Sequence, residues 1–162
     1  MASNFEYSVT YPFSTAELWK LISTEQYWRD LIQATNAEHG SLESFADDDG
    51  EVTVVSKQGV GEENLPSAIT KIRPGDVEIP RTIVFRRNGD DITGRMEATV
   101  SGAPAKIFGD IVISGDPAKA QYKGSAEVGI PFFGGKIEKA VIEQVEHLLD
   151  AERDASVDFQ QG

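Results

Sequence analysis

Three stretches of strict alternation, joined by turns of a few residues, constrain this chain more than any other feature. Ile92, Gly94, Met96, Ala98 and Val100 share one face of the first, with Thr93, Arg95, Glu97 and Thr99 on the other. Residues 106–113 group Ile107, Gly109, Ile111 and Ile113. After the turn "SGDPA", Tyr122, Gly124, Ala126, Val128 and Ile130 alternate with Gln121, Lys123, Ser125 and Glu127. A period of two is the mark of a half-buried strand. A parallel crossover needs a dozen or more residues, so tight turns make these strands antiparallel neighbours. One apolar and one polar face per strand predicts a single curved sheet, wet on its convex side.

Other runs extend the sheet. In "FEYSVTY", residues 5–11, Phe5, Tyr7, Val9 and Tyr11 alternate with polar residues. Val52, Val54 and Val55 follow the turn "ADDDG", and Ile83 and Phe85 precede "NGDD", where Asn88-Gly89 predicts the centre of a hairpin turn. The helical signals sit at the two ends of the chain. Pro12 stops the first strand; Ser14 with Glu17 reads as a capping box for Leu18, Leu21 and Ile22. Ser23 with Gln26 repeats the pattern before Tyr27, Trp28 and Leu31. The connection over residues 59–80 carries a short helical candidate, "PSAITKI". From Lys136 to Ser156, Ile137, Val141, Val145, Leu148 and Leu149 recur at helical spacing. Such a helix spans roughly 30 Å and needs a partner surface, which the concave sheet face supplies. The prediction is an α+β fold in one domain over residues 1–158, with residues 159–162 fraying.

Charge narrows the partners. Acidic residues outnumber basic ones 27 to 15, for a net charge of −12. Nucleic acid and anionic membrane surfaces both require clustered Lys and Arg, so both are disfavoured. Lys71, Arg73, Arg81, Arg86, Arg87 and Arg95 are interleaved with Asp76, Glu78, Asp90 and Asp91 and read as a solvated mixed face. The absence of cysteine excludes disulfides, thiolate metal sites and a Cys nucleophile. No apolar run approaches the roughly 20 residues of a membrane span, which predicts a cytoplasmic protein without stable membrane insertion.

The motifs favour structure over catalysis. In "VGIPFFGGKIEKA", residues 128–140, Lys136 stands one place late for a phosphate loop and Ile137 occupies the hydroxyl position. The segment reads instead as a joint: Pro131 ends a strand, Gly134-Gly135 turns it, and Phe132 or Phe133 packs under the helix. "FADDDGE" fails as a calcium loop, because alignment on Gly50 puts Phe45 and Ser56 at ligand positions. His39 and His147 belong to no metal-binding spacing, and no G-x-S-x-G elbow appears. No metal or cofactor is expected.

Strand, two short helices, meander and long C-terminal helix together describe a helix-grip fold. The opening "FEYSVTYPFSTAELWKLISTEQYW", residues 5–28, resembles the beginning of START-like proteins, the superfamily of polyketide cyclases, lipid-transfer proteins and the birch-pollen allergen group. "VGIPFFGGKIEKAVIEQVEHLLDAE", residues 128–152, is similar to the C-terminal signature of an uncharacterised, mainly actinobacterial family within it. The resemblance implies an apolar cavity between sheet and C-terminal helix and no shared catalytic set.

The leading expectation is a non-catalytic binder or carrier of a small apolar ligand, such as a lipid, polyketide or isoprenoid-like molecule, as a monomer or weak homodimer. Gly94, Gly109 and Gly124 are read as leaving room on the concave side, and Trp28, Phe85, Met96, Ile111, Phe132, Ile137 and Val141 as cavity lining. Arg87 shares the parity of Ile83 and Phe85 and is placed either at the cavity mouth, able to bind a carboxylate, or past the last buried position beside the turn. An interaction module using the convex sheet or the long helix is one alternative. A cyclase- or hydrolase-like enzyme using Arg87, Tyr122 or His147 is another.

Overall fold

A computed structural model describes residues 2–36, 39–65, 67–72 and 74–161. Seven strands form one antiparallel sheet: β1 (Ala2–Thr10), β2 (Ser41–Asp48), β3 (Glu51–Val60), β4 (Val77–Asn88), β5 (Asp91–Thr99), β6 (Ala105–Ser114) and β7 (Lys119–Val128). Their spatial order is β1-β7-β6-β5-β4-β3-β2. The meander runs from β2 to β7, and β1 then closes onto β7. The chain must therefore travel from one sheet edge to the other between β1 and β2. Helices α1 (Thr15–Ile22) and α2 (Glu25–Asn36) make that journey.

The alternation is realised as expected: Phe5, Val52, Val54, Ile83, Phe85, Ile92, Met96, Ile107, Ile111 and Ala126 are all buried on one face. Strand β2 had no such signal, because an edge strand needs only occasional core contacts; Leu42 and Phe45 supply them. In the β4–β5 hairpin Asn88 pairs with Asp91, so the central turn residues are Gly89 and Asp90, one place later than the Asn-Gly signal suggested. The first capping box forms, with the Ser14 hydroxyl accepting from the Glu17 N–H. The second does not. Ser23 is the C-terminal flank of α1, its backbone N–H bonds back to Trp19, and its hydroxyl is buried without a partner among the described residues. The short helix α3 (Ser67–Ile72) falls where expected, although Pro66, part of that expectation, lies outside the described residues, as does Arg73.

The last helix, α4 (Gly134–Gln161), is longer than the spacing implied at both ends. Phe159, expected to fray, meets the Tyr27 ring edge-on at 6.3 Å. Gly162 lies outside the described residues. Helix α4 packs chiefly on β1, β7 and α2. It therefore covers one half of the concave face and leaves the half over β3, β4 and β5 less filled.

Curvature has an identifiable cause. Gly109 and Gly124 sit opposite each other in the β6–β7 register. A Cβ on Gly124 would overlap the Phe108 carbonyl oxygen and lie 2.7 Å from Gly109 Cα. These two glycines let the strands bend into contact rather than leaving room for a guest, which corrects the reading made from alternation.

Candidate functional site

The joint between β7 and α4 holds the site together. The Gly134 N–H bonds to Ile130 O at 2.9 Å, and a Cβ on Gly134 would stand 2.5 Å from Val128 O, so the helix begins against the end of β7 where only glycine fits. Glu138, buried in the first turns, accepts from the Ser3 hydroxyl at 2.6 Å and the Val128 N–H at 3.0 Å. Those two hydrogen bonds hold its carboxyl below the usual carboxylate range. The other half of α4 is anchored by Tyr7 donating to Asp150, Arg153 donating to Thr10 O, and the Tyr27–Ser156 hydroxyl pair at 2.7 Å. Between Glu138 and Asp150 no α4 side chain is hydrogen bonded to the sheet among the described residues. The helix is pinned at both ends and spans the gap between.

Under that span lies a cavity of about 750 Å³, open to solvent on one side. Its sheet wall comes from Val77, Ile79, Met96, Ala98, Val100 and Ile107, and its helix wall from Ala140, Val141, Val145, Leu148 and Leu149. The C-terminal end of α2 and the connection after β3 close one end: Asn36 brackets Gly59 with hydrogen bonds of 3.0 and 3.1 Å, and Leu65 adds an apolar contact surface. Polar groups at the wall include His39, Gln58, Glu63, Arg81, Glu143 and His147. Protein cores normally pack at crystal-like density, so this unfilled volume is a feature of the fold and not a packing error of one side chain.

Arg81 forms the inner end. Its Nη1 donates to Glu152 Oε2 at 2.7 Å and its Nη2 to Oε1 at 3.3 Å, and both side chains are nearly closed to solvent. Burial alone disfavours the charged guanidinium; the Glu152 charge and hydrogen bonds outweigh it and raise the Arg81 pKa. Beyond the pair lies a second void of about 30 Å³, bordered by Tyr11, Tyr27, Trp28, Phe85, Ile111 and Tyr122. Burial pushes the hydroxyls of Tyr11, Tyr27 and Tyr122 well above their ordinary pKa. Apart from that small void the layer is packed core, with Trp28 stacked on Phe85 at 5.8 Å and donating to Ile22 O.

The residues expected to line the cavity separate into groups. Met96 and Val141 do line it. Trp28, Phe85 and Ile111 lie beyond Arg81, in the aromatic layer. Ile137 is buried near the joint. Arg87 is exposed, its Nε donating to Gly89 O at 3.2 Å, because β4 outruns its cover there; it is not at the cavity mouth. Phe132 is fully exposed with φ of 70°, so it does not pack under the helix. Sequence reasoning missed Gln58 and assigned Arg81 to a solvated face. Alternation carried the signal, since Arg81 is in phase with Ile83 and Phe85 and Gln58 with Val52 and Val54.

The model of the family described as "Protein of unknown function (DUF2505)" matches residues 6–159. The chain belongs to that family. Relatives of this DUF2505 chain include uncharacterised proteins of Mycobacterium tuberculosis and Mycobacterium bovis, each 28% identical, with 94% of each chain covered. Solved structures similar to the DUF2505 fold include a START superfamily protein from Mycobacterium smegmatis, with TM-score 0.54 and 14% identity, covering 93% of this chain and 94% of that one. The ZhuI aromatase/cyclase from Streptomyces gives TM-score 0.57 and 12% identity over 99% and 94% of the two chains. At such identities the likeness shows the fold alone: this DUF2505 chain is a helix-grip domain. No helix among the described residues is long and apolar enough to cross a membrane.

Proposed function

We propose that this protein binds and carries a small apolar molecule in the cavity between sheet and α4, without transforming it. The carrying observation is the cavity itself: about 750 Å³, walled mostly by aliphatic side chains from β4, β5, β6 and α4. That volume lies within the roughly 300–1,000 Å³ of small-molecule sites. The START-like fold supports the reading, since solved neighbours include a START superfamily protein and an aromatase/cyclase. An enzymatic reading needs an ionisable group free to exchange a proton with a guest. The inner end offers none, since Arg81 and Glu152 are engaged with each other there; Glu143 and His147 at the wall are the groups such a reading would have to use.

The test is fluorescence titration with N-phenyl-1-naphthylamine, a neutral apolar probe. Saturable binding of one probe per chain is expected, weakened about tenfold by Val141→Trp, which projects an indole from the helix wall into the cavity. Folded wild-type protein that shows no saturable binding, or a Val141→Trp variant that binds equally well, overturns the proposal.

A further inference from the structure

The inner end of the cavity is polar in a specific way. Two N–H groups of Arg81 are taken by Glu152, but its Nε is closed to solvent and has no acceptor among the described residues. Gln58 is 5% exposed, lines the cavity, and its amide makes no hydrogen bond with the described residues. In the β3–β4 register Ser56 faces Arg81 and Gln58 faces Ile79. Gln58 and Arg81 are therefore diagonal neighbours on the inward face, a separation that long side chains bridge.

Buried polar groups normally find partners, and those left without one inside a binding cavity mark where a guest supplies it. The charge balance says what kind of guest. Glu152 already matches the Arg81 guanidinium, so a guest carboxylate arriving there meets a like charge, with no further Lys or Arg among the described lining residues to offset it. Glu63 and Glu143 add further negative charge at the wall. A hydroxyl or carbonyl oxygen faces no such opposition: it accepts from the Gln58 amide N–H, and a hydroxyl also donates to the amide oxygen.

We infer that the cavity is built for an uncharged amphipathic guest, whose single hydroxyl or carbonyl oxygen sits at the Gln58 amide beside the closed Arg81–Glu152 pair and whose hydrocarbon lies along Met96, Ala98, Val141 and Val145. This assignment rests on the reading of the cavity as a carrier site and adds the head-group chemistry.

The experiment displaces N-phenyl-1-naphthylamine with 1-decanol and with decanoate at pH 8, where the acid is ionised. Wild-type protein is expected to release the probe at about tenfold lower decanol than decanoate, the worth of one buried hydrogen bond. Gln58→Leu is expected to narrow that preference, read as the ratio of the two displacement midpoints. Glu152→Gln, which keeps a hydrogen-bonding side chain but uncovers the Arg81 charge, shifts the preference toward decanoate. Probe binding with no head-group preference, or a preference unchanged in both variants, overturns this inference while leaving the carrier reading intact. Failure of the folded wild-type protein to bind the probe overturns both.

Discussion

Arg81 on β4 and Glu152 on α4 face each other through two hydrogen bonds, Nη1 to Oε2 at 2.7 Å and Nη2 to Oε1 at 3.3 Å, at the boundary between cavity and aromatic core. The pair ties the sheet to its covering helix. Removing one partner leaves a buried charge uncompensated, so Glu152→Ala is expected to cost about 3–5 kcal/mol in urea denaturation. The double variant Arg81→Met with Glu152→Leu restores most of that loss, since well-packed apolar pairs replace buried ion pairs at little cost. A single-variant loss below about 1 kcal/mol, the range of solvated surface pairs, contradicts this assignment.

The two glycines of the β6–β7 bend and the glycine inside the joint respond oppositely to a methyl group. Gly124→Ala forces backbone atoms apart and is expected to destabilise by about 1–3 kcal/mol or more. A Cβ on Gly135 meets nothing within 4 Å, and Gly135→Ala in the first turn of α4 is expected to stabilise by about 0.4–1 kcal/mol. Chemical denaturation of both variants checks the contrast, and equal effects refute it.

Ser23 distinguishes a cap from a stranded hydroxyl. A working capping box predicts a loss of about 0.5–2 kcal/mol in Ser23→Ala. Here the hydroxyl is buried and unpartnered among the described residues, so the same substitution is expected to be neutral or stabilising by up to about 1 kcal/mol. The sign of the thermal shift decides.

Phe132 is a non-glycine residue at φ of 70° with its ring fully exposed. The left-handed conformation costs such a residue about 1–2 kcal/mol. Phe132→Gly is expected to raise the melting temperature and leave probe affinity unchanged. Weakened probe binding would return Phe132 to the cavity wall.

Alkaline stability reports the buried tyrosines. The pKa values of Tyr11, Tyr27 and Tyr122 are raised by burial, while in the unfolded chain a tyrosine ionises near pH 10. The folded state therefore holds more protons than the unfolded state above about pH 10, and stability is full below that value and falls as pH rises beyond it. Phenolate absorbance from these three residues is expected to appear together with loss of tertiary structure. Stepwise ionisation at pH 10 with the fold intact would place them in solvent.

The period-two and period-3.6 patterns carried most of the architecture: six of the seven strands, both N-terminal helices and the long helix follow from residues such as Phe5, Ile111 and Leu149 standing at the right spacing. Strand β2 escaped because its edge position demands little burial, and the Ser23 cap because the same S-x-x-Q pattern suits a helix end when a second helix follows at once. The cavity was legible in kind but only partly in membership. Met96 and Val141 line it, whereas Trp28, Phe85 and Ile111, equally apolar and on the same concave side, belong to the aromatic layer around the second, small void.

Arg81 and Arg87 show where local information stops. They lie on one strand with the same parity, and the alternation of β4 turns both toward the concave side. One is 5% exposed and paired with Glu152; the other is exposed beside the Gly89 turn. Parity is set by backbone geometry within a few residues, so the amino-acid sequence alone determined which way each side chain points. What covers it depends on where a helix whose Glu152 lies 71 residues downstream of Arg81 comes to rest, and α4 rests on β1 and β7. Only the tertiary structure decides which inward residues meet that helix, which meet the cavity beside it, and which run out beyond both.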